Sequence, residues 1–135
     1  LSGPLLDRMD IQVQVPAIPP GELREKRRGE PSREIRARVV AARERQWARF
    51  RGTPVFANAQ MDERMVESCC PLDAKTEEFL LAAMKRLSLT ARGHQRILKV
   101  ARTLADLEGL DAIASKHLAE AIQYRTLDRQ IFGEV

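Results

Sequence analysis

The chemistry open to this chain is carried mainly by arginine. Arg8 follows Asp7, and Arg92 falls in the opening turn of a predicted helix, where backbone N–H groups still lack acceptors and an anion is favoured. On residue type alone, the first is a surface ion pair and the second a solvated cation on a polar face. Residues 22–51 hold eleven Lys or Arg against five Asp or Glu, a local charge of +6 that leaves −2 for the remainder. Arg36, Arg43 and Arg45 in that stretch could meet phosphates, although without interleaved aromatic residues a solvated face is the plainer reading. Trp47 and Tyr124 read as packing residues rather than stacking platforms.

Other chemistries are poorly served. Cys69 and Cys70 are adjacent, which suits neither a zinc site nor a disulfide framework, and they are expected to stay reduced. His94 and His117 lack any metal-ligand spacing, so no metal is expected. The phosphate loop GxxxxGK[ST] does not occur in the sequence, and the chain alone is expected to hydrolyse no nucleotide.

The 135 residues suffice for one modest domain and a tail. Hydrophobic residues make up 44%, aromatics only 4% and charged residues 31%, without a long apolar run, the composition of a Leu-, Ala- and Arg-rich helical protein with no membrane span. A cytoplasmic location is expected.

Three elements of order follow from spacing. Ile11, Val13 and Val15 alternate with Gln12 and Gln14, predicting a strand that has no earlier sheet to join. Pro16, Pro19, Pro20 and Gly21 then mark a boundary, and the charge-dense residues 22–31 read as a mobile linker. From Ser32 onward the periodicity is helical.

The first of these helices is predicted over Ser32–Phe50, with Ile35, Val39, Ala42, Gln46 and Phe50 inward and Trp47 at the edge. Asp62 caps a short turn to about Ser68, Asp73 a helix to about Leu87, and Thr90 a helix ending at Glu108-Gly109. The second of these buries Thr76, Phe79, Leu80, Ala83 and Leu87. In the third, Ile97, Val100, Ala101, Leu104 and Leu107 point inward, with Arg92, Lys99 and Asp106 opposite. Ser115 opens a last helix that ends near Tyr124-Arg125.

Two of these segments resemble a known family. Ser2-Gly3-Pro4-Leu5-Leu6-Asp7-Arg8-Met9-Asp10 followed by an apolar strand is similar to the part of magnesium-chelatase-type AAA+ ATPases in which the Arg of LLDR enters the nucleotide site of a neighbouring subunit. Ser88-Leu89-Thr90-Ala91-Arg92 through Arg96-Ile97-Leu98-Lys99-Val100-Ala101-Arg102 to Gly109, with His117 to Arg125, resembles the lid signature of the ComM-type members of that family. The pattern departs at Thr90 and Gly93, where Ser and Ala are usual.

The resemblance implies an all-α fold, a small helical bundle forming an AAA+ lid domain, preceded by one orphan β-strand from a truncated ATPase core. Residues 1–15 would be the end of that core, 16–31 a linker and 32–135 the lid. Arg8 would be the arginine finger and Arg92 the sensor 2 residue touching the phosphates of its own subunit, with Arg96 a secondary nucleotide contact. Arg96 and Arg102 could equally meet a carboxylate or water. The parent protein would use ATP and Mg and assemble with copies of itself as a hexameric ring, to remodel DNA during recombination of incoming strands. The fragment would bind no cofactor and be inactive alone.

A porphyrin-acting chelatase subunit and a stand-alone basic nucleic-acid-binding module are the competing readings. Without their sheet, residues 1–30 are expected to be disordered, repacked on the bundle or paired with another copy.

Overall fold

The computed structural model describes residues 3–24 and 28–125. Where the sequence places a short side-chain acceptor before an apolar run, a helix begins. Asp62 Oδ1 accepts from Met65 N–H at 2.8 Å, Asp73 Oδ1 from Thr76 N–H at 2.7 Å and Thr90 Oγ1 from Gly93 N–H at 3.1 Å. These open α3 (Glu63–Cys69), α4 (Ala74–Leu87) and α5 (Ala91–Leu107). Before them come α1 (Gly3–Asp7) and α2 (Ser32–Arg49), and after them α6 (Ser115–Gln123). Two 3₁₀ turns, Glu22–Arg24 and Asn58–Gln60, complete the order.

Helices α4 and α5 end alike. Leu89 N–H reaches back to Met84 C=O and Ser88 N–H to Lys85 C=O, and the same pair recurs from Leu110 to Ala105 and from Gly109 to Asp106. This closure needs a left-handed residue. Gly109 supplies it freely at φ +73°, whereas Ser88 adopts φ +50° with a side chain.

Helix α5 is the central element, packed against α2, α3, α6 and the Asn58–Gln60 turn, while α4 also packs on α6. Ile97, Ala101 and Ala105 of α5, Leu80 of α4, Val66 of α3 and Leu118 and Ala121 of α6 form a closed apolar core with Phe50 and Met61. Burying a side chain such as Ile97, Leu118 or Leu80 contributes about 1.5–3 kcal/mol each.

The all-helical bundle is as expected, but the strand is not. No strand occurs among the described residues, and Ile11, Val13 and Val15 are exposed, Val15 by 84%. Alternation favours a strand only where another strand offers its edge; here Gln12 N–H donates to Tyr124 C=O at 2.9 Å and Gln12 Nε2 to Leu6 C=O at 3.2 Å. Residues 3–12 thus lie on the helical bundle, with Leu6 buried.

The stripe of α2 also differs. Residues 31–41 are all exposed, including Ile35 and Val39, and burial begins only at Ala42 and continues through Gln46 to Phe50. In α4, Thr76, Leu80 and Ala83 are buried but Phe79 is exposed. Asp106, expected on the polar face of α5, is 1% exposed because α2 and the Asn58–Gln60 turn bring polar partners to it.

Candidate functional site

Arg92 is the second residue of α5, exposed, and its guanidinium makes no hydrogen bond or ion pair with the described residues. It borders an open groove of about 760 Å³ between α3, α4 and α5, floored by Val66, Leu80 and Leu98. Thr90 already accepts the Gly93 N–H, so an anion here would meet the N–H groups preceding it and the Arg92 guanidinium. Lys99, along the same groove, donates to Ala59 C=O at 3.3 Å. The fit is to a negatively charged group approaching from solvent.

Arg8 lies just past the end of α1 and is likewise exposed, its guanidinium unpaired among the described residues. Its backbone is held. Arg96 Nη1 donates to Arg8 C=O at 2.7 Å and to Asp10 Oδ1 at 2.6 Å. Arg125 Nη2 donates to Asp7 Oδ1 at 2.9 Å and Asp7 C=O at 3.2 Å, and its Nη1 to Met9 C=O at 3.2 Å. Arg96 therefore spends its donors on a carboxylate and a carbonyl of this arm. Asp7, expected beside the Arg8 guanidinium, pairs instead with Arg125.

The basic stretch divides in two. Arg36 and Arg43 are exposed and unpaired among the described residues, whereas Arg45 pairs with Asp111, Arg38 with Glu30 and Arg49 with Asp106. Trp47 stands out from α2 at 58% exposure, and with Phe50 and Phe56 it lines a shallow apolar hollow.

A second polar cluster escapes sequence reading. Asp106 receives Arg49 through two hydrogen bonds at 2.6 and 2.8 Å and Asn58 Nδ2 at 2.9 Å, with Arg102 Nε 3.4 Å away. Gln46 Oε1 accepts the Asn58 N–H at 2.9 Å, fixing the turn that delivers Asn58. Burial pushes the Asp106 carboxyl up, but the Arg49 and Asn58 hydrogen bonds and the charges of Arg49 and Arg102 outweigh it and hold it below the ordinary range. Arg49 is correspondingly raised by its bond to Asp106, while burial lowers Arg102.

Arg102 donates to the Leu110 and Asp111 carbonyls at 2.8 and 2.7 Å, beyond the end of its own helix, so its role is to fasten the α5–α6 connection. His117 does similar work at the start of α6, accepting the Ala114 N–H through Nδ1 at 2.9 Å. Cys70 is buried, and desolvation raises its thiol to about 11. Among the described residues no cluster of His, Cys, Asp and Glu could hold a metal ion, and no helix is long and apolar enough to cross a membrane.

Comparison with known proteins gives this geometry a context. Residues 29–125 match the family model described as magnesium chelatase, subunit ChlI C-terminal. Over 130 residues the chain is 42% identical to the competence protein ComM of Haemophilus influenzae and, equally, to the uncharacterised protein YifB of Escherichia coli. An uncharacterised protein of Mycobacterium tuberculosis is 34% identical over 125 residues. The first two alignments cover 96% of this chain and the third 93%, but only 25% of each relative, so the chain spans about a quarter of their length.

Proposed function

Since the chain belongs to the magnesium chelatase subunit ChlI C-terminal family, we propose that it is the helical lid of an AAA+ ATPase, with the Arg8 segment attached, and that it answers to nucleotide bound elsewhere in the assembly. The observation that carries this reading is that Arg8 and Arg92, like other surface arginines such as Arg36 and Arg43, are exposed and unpaired among the described residues, while Arg96 and Arg125 beside them are committed to acceptors of the segment that carries Arg8. Each of the first two is an uncommitted guanidinium close to the backbone grip of Arg96 or in the first turn of the same helix. A planar, delocalised cation of this kind can stabilise charge that builds on a transferring phosphoryl group.

In this reading Arg8 is the finger that meets the phosphates across a subunit boundary, and Arg92 senses nucleotide and relates it to lid position. ATP and Mg are bound by the remainder of the parent protein, which works as a ring of like subunits. The likeness to ComM, a competence protein by name, supports DNA as what the ring remodels.

Steady-state ATPase assays with nucleotide-binding measurements on the full-length protein test both residues. Arg8→Ala is expected to lower turnover by about 10³-fold or more with affinity nearly unchanged, and ordinary turnover would remove the finger role. Arg92→Ala is expected to uncouple binding from hydrolysis; unchanged affinity and rate would remove the sensor role.

A second reading rests on α2, where exposed Arg36, Arg43 and Trp47 could contact single-stranded nucleic acid directly. It requires DNA affinity that falls steeply with salt and is lost in Arg36→Ala/Arg43→Ala; flat, weak binding excludes it.

A further inference from the structure

We infer that Arg96 and Arg125 form a two-pronged latch that positions Arg8, so that the segment carrying it moves as part of the helical bundle. The inference rests on the finger role of Arg8 and assigns two further residues to its action.

The latch grips backbone on both sides of the residue it serves. Arg125 holds the carbonyls of Asp7 and Met9, and Arg96 holds the carbonyl between them, that of Arg8 itself. Three consecutive carbonyls are thereby fixed by guanidiniums from the α5 helix and from the residue two beyond α6. The carboxylates of Asp7 and Asp10 complete the two charge pairs. Gln12 N–H on Tyr124 C=O and buried Leu6 secure the arm on either side. The Arg8 side chain itself stays exposed.

The two prongs differ in what they lose if the arm departs. Arg125 is 8% exposed, and all the acceptors of its Nη atoms lie in residues 7–9. Without the arm its Nη atoms lose every acceptor they have, three charge-assisted hydrogen bonds that water replaces at a net cost. Arg96 is more exposed and would return to water. Arg125 therefore supplies the hold and Arg96 the alignment.

The latch also joins the two candidate cations. Arg125 Nη2 lies 3.9 Å from where a Cβ on Gly93 would stand, next to Arg92 in the first turn of α5, and Arg96 follows Arg92 by one helical turn on the same face. A displacement of that turn on engaging phosphate is transmitted to the arm through side chains already bonded to it. Holding a cation's backbone in place before reaction removes the cost of ordering it later.

The test uses the full-length protein with Arg8→Ala, Arg125→Gln, Arg125→Lys, Arg96→Gln and the double variant Arg8→Ala/Arg125→Gln. Readouts are kcat, KM, nucleotide affinity and hydrogen exchange of the Gln12 amide. The expected result is at least a tenfold fall in kcat for Arg125→Gln with affinity within twofold, partial rescue by Arg125→Lys, and at least tenfold faster exchange at Gln12. The double variant should be no slower than Arg8→Ala alone, because both act through one group.

Should Arg125→Gln fail to fold, Arg96→Gln carries the test, with a smaller fall in kcat and the same non-additivity with Arg8→Ala. Impaired Arg8→Ala beside unimpaired latch variants would overturn the latch and leave the finger intact. Multiplying defects in the double variant would make Arg125 a merely structural residue. Ordinary turnover in Arg8→Ala would overturn the finger and the latch together.

Discussion

Asp106 shows how a single side chain can hold three segments together. It is inaccessible to water and placed between Arg49 of α2, Asn58 of the following turn and Arg102 of its own helix. Removing it leaves two cations without their counter-charge, so Asp106→Ala is expected to destabilise the fold by about 3–5 kcal/mol, read as a shift in the urea midpoint. The pH dependence has a definite sign. Because its folded pKa lies below the ordinary 3.8, the carboxylate's contribution is complete well above that value and declines as pH falls through the folded pKa. Urea midpoints should therefore drop below about pH 4 in the parent protein and respond less in Asp106→Asn. None of this is visible along the chain, since Arg49 lies 57 residues from Asp106 and helical periodicity assigns Asp106 to a solvated face. The same holds for Arg125, whose acceptors are backbone carbonyls 116 and 118 residues away and leave no trace in residue type.

At the level of the elements, the sequence was most informative where structure is set within four residues. Asp62, Asp73 and Thr90 announce α3, α4 and α5 because each bonds an N–H three positions on. The alternation of Ile11 to Val15 is equally local, but a strand is completed by a partner that no local pattern specifies. Two substitutions probe the helix ends. A Cβ at Gly93 would meet Thr90 Oγ1 at 3.5 Å and Leu89 Cβ at 3.8 Å, ordinary contacts, so Gly93→Ala should stabilise α5 by about 0.5–1 kcal/mol, seen as a higher thermal midpoint. Ser88 holds a left-handed conformation in the α4 closure, and Ser88→Gly should relieve a comparable strain of about 1 kcal/mol. A lower midpoint in either variant would contradict the corresponding account.

For the whole molecule, the apolar core draws on residues from Phe50 onward and on none from the arm. Deleting residues 1–15 is therefore expected to preserve the circular-dichroism signal of the helical bundle while costing about 2–3 kcal/mol in stability, since Arg125 loses its acceptors. Loss of cooperative unfolding would mean that the arm belongs to the folding unit itself. The helical bundle and the exposed positions of Arg8 and Arg92 could be read from the sequence with the family pattern beside it, but the fastening between them could not. That fastening takes hold chiefly of carbonyl oxygens, which every amino acid possesses. Met9 can consequently drift among side chains over evolutionary time without loosening the grip, whereas Arg96 and Arg125 can be exchanged for little else. Three of the oxygens that the two guanidiniums hold belong to the part of the chain that mutation leaves in place, and only the carboxylates of Asp7 and Asp10 are open to loss.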